Sequence, residues 1–257
     1  MKHYLLEAIG TGIIVLFGVG SVCTSVLTNA HMGIWQVAVI WGFGVSFAIQ
    51  FSRKSGAHLN PAVSLAFLSL GEMGWKKCLW YIFFQMLGAF LAGWINYFMF
   101  YGYLGDKNTV YTAMVFGEYF PNPALFKEEW ESSNFSVSVW KALFVEAFGT
   151  FVLMIMILKF RNAEHANIYV GFTVACLISL YAPLTQAGWN PARDFGPRLV
   201  AWCIGYGSIA IPGPRNGFWI YIVGPIIGAQ VASLCWSMCE KDIKIKIRKC
   251  INNVSEV

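Results

Sequence analysis

No Asp, Glu, Lys or Arg occurs between Glu7 and Arg53. Further charge-free stretches run from Cys78 to Gly105, from His165 to Ala192 and from Asn216 to Cys239, and the stretch between Lys141 and Lys159 encloses only Glu146. A membrane crossing needs about 20 predominantly apolar residues. The first run therefore holds two crossings and each of the others one, which predicts six spans at about 5–27, 34–52, 78–101, 138–159, 166–186 and 217–239. With 57% hydrophobic and 12% charged residues, against about 25% charged in a soluble domain, the chain has too few charges to coat a soluble surface. Helices satisfy their own backbone polar groups in lipid, so the expected class is an all-α membrane protein.

The apolar run after Lys2 continues into a full-length span, which reads as a retained first helix rather than a cleaved leader. The seven Cys are odd in number and show no metal-ligand spacing, so neither a disulfide framework nor a metal site is expected. His3, His31 and His165 form no constellation in the sequence, no nucleophile–base pair stands out, and no cofactor is implied. Nucleic-acid binding has no support. Lys2, Arg53, Lys54, Lys76, Lys77, Lys159, Arg161 and the tail "EKDIKIKIRK" fall on one side, whereas the loop of about 103–136 carries Asp106, Glu118, Glu128, Glu129 and Glu131. By the bias of basic residues toward cytoplasmic loops, both termini are cytoplasmic and that loop is external. The basic tail at 241–257 offers contacts to membrane lipid.

The chain also repeats itself. "EAIGT" at Glu7–Thr11 returns as "EAFGT" at Glu146–Thr150, "HLNPAV" as "GWNPAR", and "LGAFLAGW" as "IGAQVASLCW". The halves, about 5–102 and 138–240, hold three spans each, and an odd number inserts the second copy upside down. Residues 103–136 link the halves, and the whole of 1–257 forms one domain. Asn60 to Leu70 and Asn190 to about Trp202 are apolar but too short to cross. Irregular backbone survives at membrane depth only where protein buries it or water lines it. Two re-entrant half-helices, entering from opposite faces and meeting, satisfy both constraints.

Asn is a favoured N-cap and Pro suits the first helical turn, so Asn60 and Asn190 are expected to cap helices beginning at Pro61 and Pro191. The capping oxygen accepts from the helix backbone and leaves the amide NH₂ to donate outward. Each helix start adds roughly half a positive charge, and two of them facing each other repel cations. Gly56, Ala57 and His58, with Gln186, Ala187 and Gly188, would present carbonyl acceptors on either side. Such a row suits small neutral hydrogen-bonding solutes. A third Asn-Pro-Ala, Asn122–Ala124, lies in the polar loop before "LFKEEWE" and is given no part in this.

"SGAHLNPAV", "NPARDFGPRL", "EAIGTGIIVLFGVG" and "VGPIIGA" resemble the major intrinsic protein (aquaporin) family over about residues 5–240. The resemblance implies a homotetramer of six-helix, two-half-helix subunits, each with a pore of the aquaporin type, in which lining donors, acceptors and half-helix dipoles set selectivity. Asp194 after Arg193, and Arg198 beyond it, look like the aquaglyceroporin or glycerol facilitator branch. Aligned on the motifs, the family's constriction falls on Trp41, Ile178, Ala187 and Arg193, with Arg193 as hydroxyl donor and Trp41 as apolar wall. Facilitators pair a small residue at the place of Ile178 with an aromatic at that of Ala187, and here the sizes are inverted. Glu7 and Glu146 take the places of carboxylates that brace the half-helix loops, and Asp194 that of a loop brace.

The expected activity is passive passage of glycerol, water and other small uncharged solutes such as urea across the plasma membrane, with protons and ions excluded. A water-selective channel, an ion-coupled secondary transporter with the same inverted repeats, and a poorly conducting scaffold are the alternatives.

Overall fold

The computed structural model describes residues 1–28, 30 and 32–255, with side chains through Glu240; His31 and the side chains of the basic tail lie outside the described set. The first half contains α1 (Lys2–Leu27), α2 (Ile34–Ser52), α3 (Pro61–Ser69) and α4 (Trp75–Phe100). The linker carries α5 (Val110–Ala113) and α6 (Lys127–Ser132). The second half contains α7 (Val139–Phe160), α8 (Ala166–Thr185), α9 (Pro191–Ala201) and α10 (Ile220–Ser255). Among the described residues six helices are long and apolar enough to cross a membrane, whereas α3 spans 9 residues and α9 spans 11. No strand occurs among the described residues.

The packing repeats with the sequence. In the first half α1 lies against α2 and α4, and in the second α7 lies against α8 and α10. The halves meet where α2 packs on α8, and each half-helix leans on the last helix of the other half, α3 on α10 and α9 on α4. Close crossings depend on residues without a side chain, as is usual in lipid, where apolar tails give helices no hydrophobic reason to associate. A Cβ on Gly88 would lie 1.9 Å from the Ala8 carbonyl oxygen, and one on Gly228 would lie 2.0 Å from that of Ala147. Phe43, Phe47, Trp80, Phe83, Trp140, Phe144 and Phe172 face outward, an apolar surface that only hydrocarbon would solvate well. The fold is that of an integral membrane protein.

The linker differs from a simple polar loop. Every residue from Ala113 to Pro123 is buried. The third Asn-Pro-Ala explains part of this: Asn122 takes the Ala124 N–H on its side-chain oxygen at 3.0 Å, and donates from its backbone to the Pro183 carbonyl (3.1 Å) and from its side chain to that of Ala182 (3.2 Å). It fastens the linker to the C-terminal end of α8, away from the central cavity.

Candidate functional site

Each letter of the repeated Glu-Ala-x-Gly-Thr stretch has a structural counterpart in both halves. Glu7 is fully buried and accepts the backbone N–H groups of His58 (3.1 Å) and Leu59 (2.7 Å), the Ser55 hydroxyl (2.6 Å) and the Gln85 side-chain amide (2.8 Å). Glu146, also fully buried, accepts the backbone N–H groups of Gly188 (3.0 Å) and Trp189 (2.7 Å). Ala8 and Ala147 supply the carbonyls that Gly88 and Gly228 approach. A Cβ on Gly10 would meet Leu59 at 2.5 Å, and one on Gly149 would meet the Trp189 ring at 2.1 Å. Each motif glycine therefore makes room for the residue that precedes a half-helix cap. Thr11 and Thr150 donate to the carbonyls of Glu7 and Glu146, both at 2.8 Å.

These contacts hold two strained loops. Gly56 has φ +99°, and Ala57, Leu59, Gln186, Ala187 and Trp189 all lie at positive φ between 43° and 67°. Non-glycine residues there cost of the order of 1–3 kcal/mol each and persist only when the surroundings over-determine them. The N–H bonds to buried carboxylates supply that restraint, since charge-assisted hydrogen bonds are roughly twice as strong as neutral ones.

Asn60 and Asn190 cap α3 and α9. The Asn60 oxygen accepts the Ala62 N–H at 2.9 Å, and the Asn190 oxygen accepts those of Ala192 (3.0 Å) and Arg193 (3.3 Å). The amide groups are only half free. Asn60 donates to the Trp189 carbonyl and Asn190 to the Leu59 carbonyl, both at 2.9 Å. One amide proton of each Asn thus clasps the opposite loop, and one remains.

Both caps line a cavity of about 350 Å³, along with Gly56, Ala57, His58, Leu59, Ala187, Gly188 and Trp189. Trp41, Ile178 and Arg193 line it as well, while Gln50, Arg53, Arg161, Glu164 and Asn167 line it at the opposite ends of α2 and α8. From Trp41 to Arg53 the helix rises about 18 Å, so the space is long rather than round. Gln186 is absent from its lining; its side chain accepts the Tyr119 N–H at 2.8 Å and donates to the Met114 carbonyl at 3.1 Å. His58 stacks on Phe67 with ring centroids 4.5 Å apart, and its Nδ1 lies 3.2 Å from the Ser64 hydroxyl.

The four constriction candidates all line this cavity and all are buried. The Arg193 guanidinium lies 4.2 Å from the Trp41 ring centroid. A Cβ on Gly18 would fall within 2.3 Å of three Trp41 ring carbons, so that glycine determines where the indole can sit. Arg193 does not pair with its neighbour Asp194. Asp194 instead receives the Glu118 N–H (2.7 Å) and, in a forked ion pair, Arg198 at 2.7 and 3.0 Å. Arg193 pairs with the carboxylate of Glu118. Sequence reasoning missed Glu118, which reads as one more acid in an acidic loop; nothing local marks it as buried. It missed Gln85 as well, whose amide bridges Glu7 and the Ser64 hydroxyl. No metal-binding group of His, Cys, Asp and Glu occurs among the described residues.

A long lumen of mixed apolar and polar lining, walled by α1, α2, α7 and α8 and by the two half-helix starts, defines a passive membrane channel rather than an enzyme. The chain belongs to the family described as Major intrinsic protein, whose profile it matches over residues 1–236. It is 35% identical over 246 residues to a glycerol uptake facilitator protein from Pseudomonas aeruginosa, covering 88% of this chain and 84% of that one. It is 34% identical over 247 residues to a propanediol uptake facilitator from Citrobacter freundii, covering 88% and 87%. Among solved structures, the aquaglyceroporin from Plasmodium falciparum superposes with a TM-score of 0.79 at 26% identity, covering 91% of this chain and 93% of that chain.

Proposed function

We propose that this channel conducts glycerol and related small polyols passively, with water and urea as further solutes. The observation that carries the reading is the contact of Arg193 with Trp41, side by side on the cavity wall. A polyol has a carbon face and a hydroxyl face. The indole offers an apolar wall to the first and the guanidinium fixed N–H donors to the second. Ile178 and Ala187 complete the wall, and the remaining amide protons of Asn60 and Asn190 receive a hydroxyl oxygen at mid-lumen. Loop carbonyls of Gly56, Ala57, His58, Ala187 and Gly188 act as acceptors along the way. Relatives named as glycerol and propanediol facilitators support the solute class.

Glu7, Glu146 and Asp194 act in this reading as braces. Their oxygens receive backbone and side-chain donors, which argues against a vacant carboxylate for a coupling ion. The domain is the whole chain, with halves at about 5–102 and 138–240, a linker at 103–136, and a basic tail at 241–257 on the cytoplasmic side. Basic loops on the side of Arg53 and Arg161 orient both termini to the cytoplasm. A homotetramer in the plasma membrane completes the proposal, its subunits covering part of the outward apolar surface.

Stopped-flow light scattering of proteoliposomes tests it. Glycerol-driven reswelling should be well above that of empty liposomes, should not saturate at low concentration, and should need no ion gradient. Reswelling equal to empty liposomes, with fast water shrinkage retained, would replace this reading with a water-selective channel.

A further inference from the structure

We infer that Glu118 is a specificity-determining residue: its carboxylate cancels the charge of Arg193, so the constriction binds hydroxyls without acting as the cation barrier, and that barrier falls to the opposed starts of α3 and α9. This rests on the channel reading above and deepens it.

The Glu118 side chain is 3% exposed and that of Arg193 is 6% exposed, and the two are in direct ionic contact. An ion pair taken out of water is costly unless its geometry is well supported, and here the support is built in. The backbone on both sides of Glu118 is gripped by the helix that bears Arg193. Its N–H donates to Asp194 at 2.7 Å, and its carbonyl accepts from Arg198 at 2.6 Å. The next residue, Tyr119, donates its N–H to Gln186 at 2.8 Å. The linker therefore delivers a carboxylate to Arg193 from outside the cavity lining, as part of the second half-helix assembly.

Charge accounting gives the consequence. Arg193 with Glu118, and Arg198 with Asp194, form two adjacent buried pairs whose formal charges sum to zero. A cation at the constriction meets a guanidinium whose field is opposed at contact distance. The Arg193 N–H groups not taken by Glu118 remain as donors, and hydrogen bonding to a neutral hydroxyl needs donors rather than net charge. The second carboxylate oxygen of Glu118 is buried with no partner.

The test uses full-length protein in liposomes with three readouts: glycerol reswelling, potassium efflux and nitrate uptake. Arg193→Ala leaves the opposed starts of α3 and α9 in place, so potassium efflux should stay at the native level, with glycerol reswelling above that of empty liposomes as the sign of folded protein. Potassium efflux raised about tenfold or more would make Arg193 itself the barrier and overturn the inference. Glu118→Gln leaves Arg193 uncompensated and should admit nitrate at a rate about tenfold or more above native, and nitrate entry at the native rate would sink the idea. Glycerol reswelling by the native protein is measured alongside, so failure of the channel reading is separable from failure of this one.

Discussion

Asn60 and Asn190 hold each other's loops: the amide of Asn60 donates to the carbonyl of Trp189, the residue just before Asn190, and the amide of Asn190 donates to the carbonyl of Leu59, just before Asn60. The two caps are therefore a reciprocal clasp as well as two donors. Each closes its own helix with its oxygen and the opposite loop with its nitrogen, and only one proton per amide is left for a solute.

That arrangement predicts that Asn190→Ala damages both halves. It removes the cap of α9 and leaves the buried Leu59 carbonyl without its donor, each worth about 1–2 kcal/mol. The thermal midpoint of the detergent-purified protein should fall by several degrees, and glycerol reswelling should fall several-fold. Asn190→Asp keeps the capping oxygen but not the donor, so it should restore part of the thermal midpoint and little of the flux.

Ile178 lines the cavity together with Trp41 and Arg193. Ile178→Gly should widen the constriction and raise glycerol reswelling several-fold, with a smaller gain for water. Unchanged glycerol flux in correctly folded protein would show that Ile178 is not at the narrowest level.

Glu7 and Glu146 occupy matching places but carry unequal duties. Glu7 receives four donors from Ser55, His58, Leu59 and Gln85, whereas Glu146 receives three, the backbone N–H groups of Gly188 and Trp189 and the Thr185 hydroxyl. Glutamine in either place turns an NH₂ toward a group that also donates, leaving a buried polar group unsatisfied at about 1–3 kcal/mol. Glu7→Gln should therefore lower the thermal midpoint more than Glu146→Gln. Equal losses in a melting comparison would contradict the counted donors.

The crossings of α1 with α4 and of α7 with α10 leave no space for a methyl group, because the clashing atoms at Gly88 and Gly228 are backbone carbonyls rather than movable side chains. Gly88→Ala and Gly228→Ala should each abolish recovery of monodisperse protein on size-exclusion chromatography. Gly71, where a Cβ would meet nothing within 4 Å, serves as the contrast: despite its φ of +74°, Gly71→Asn should still yield folded protein, since Asn tolerates left-handed backbone.

Spans, half-helices and the inverted repeat were legible because membrane insertion writes them into one dimension. A charge-free run of fixed length, a run too short to cross, and Asn-Pro with its capping habit are all local properties, and α3 and α9 begin at Pro61 and Pro191 as those habits require. The partners of the charges were not local. Glu118 and Arg193 are separated in the chain by α7 and α8, and the acidic composition around Glu118 matches that of any exposed loop. Only the folding of Ala113–Pro123 into the protein brings its carboxylate to Arg193. The same holds for Asp194, which passes over its sequence neighbour Arg193 to pair with Arg198, since residues four apart share a helix face and adjacent ones do not. The sequence by itself determined which segments enter the membrane and where they turn back, because lipid penalises every uncompensated polar group along the chain. The tertiary structure alone decided which buried charges neutralise one another, because that depends on distances between segments that no local pattern encodes.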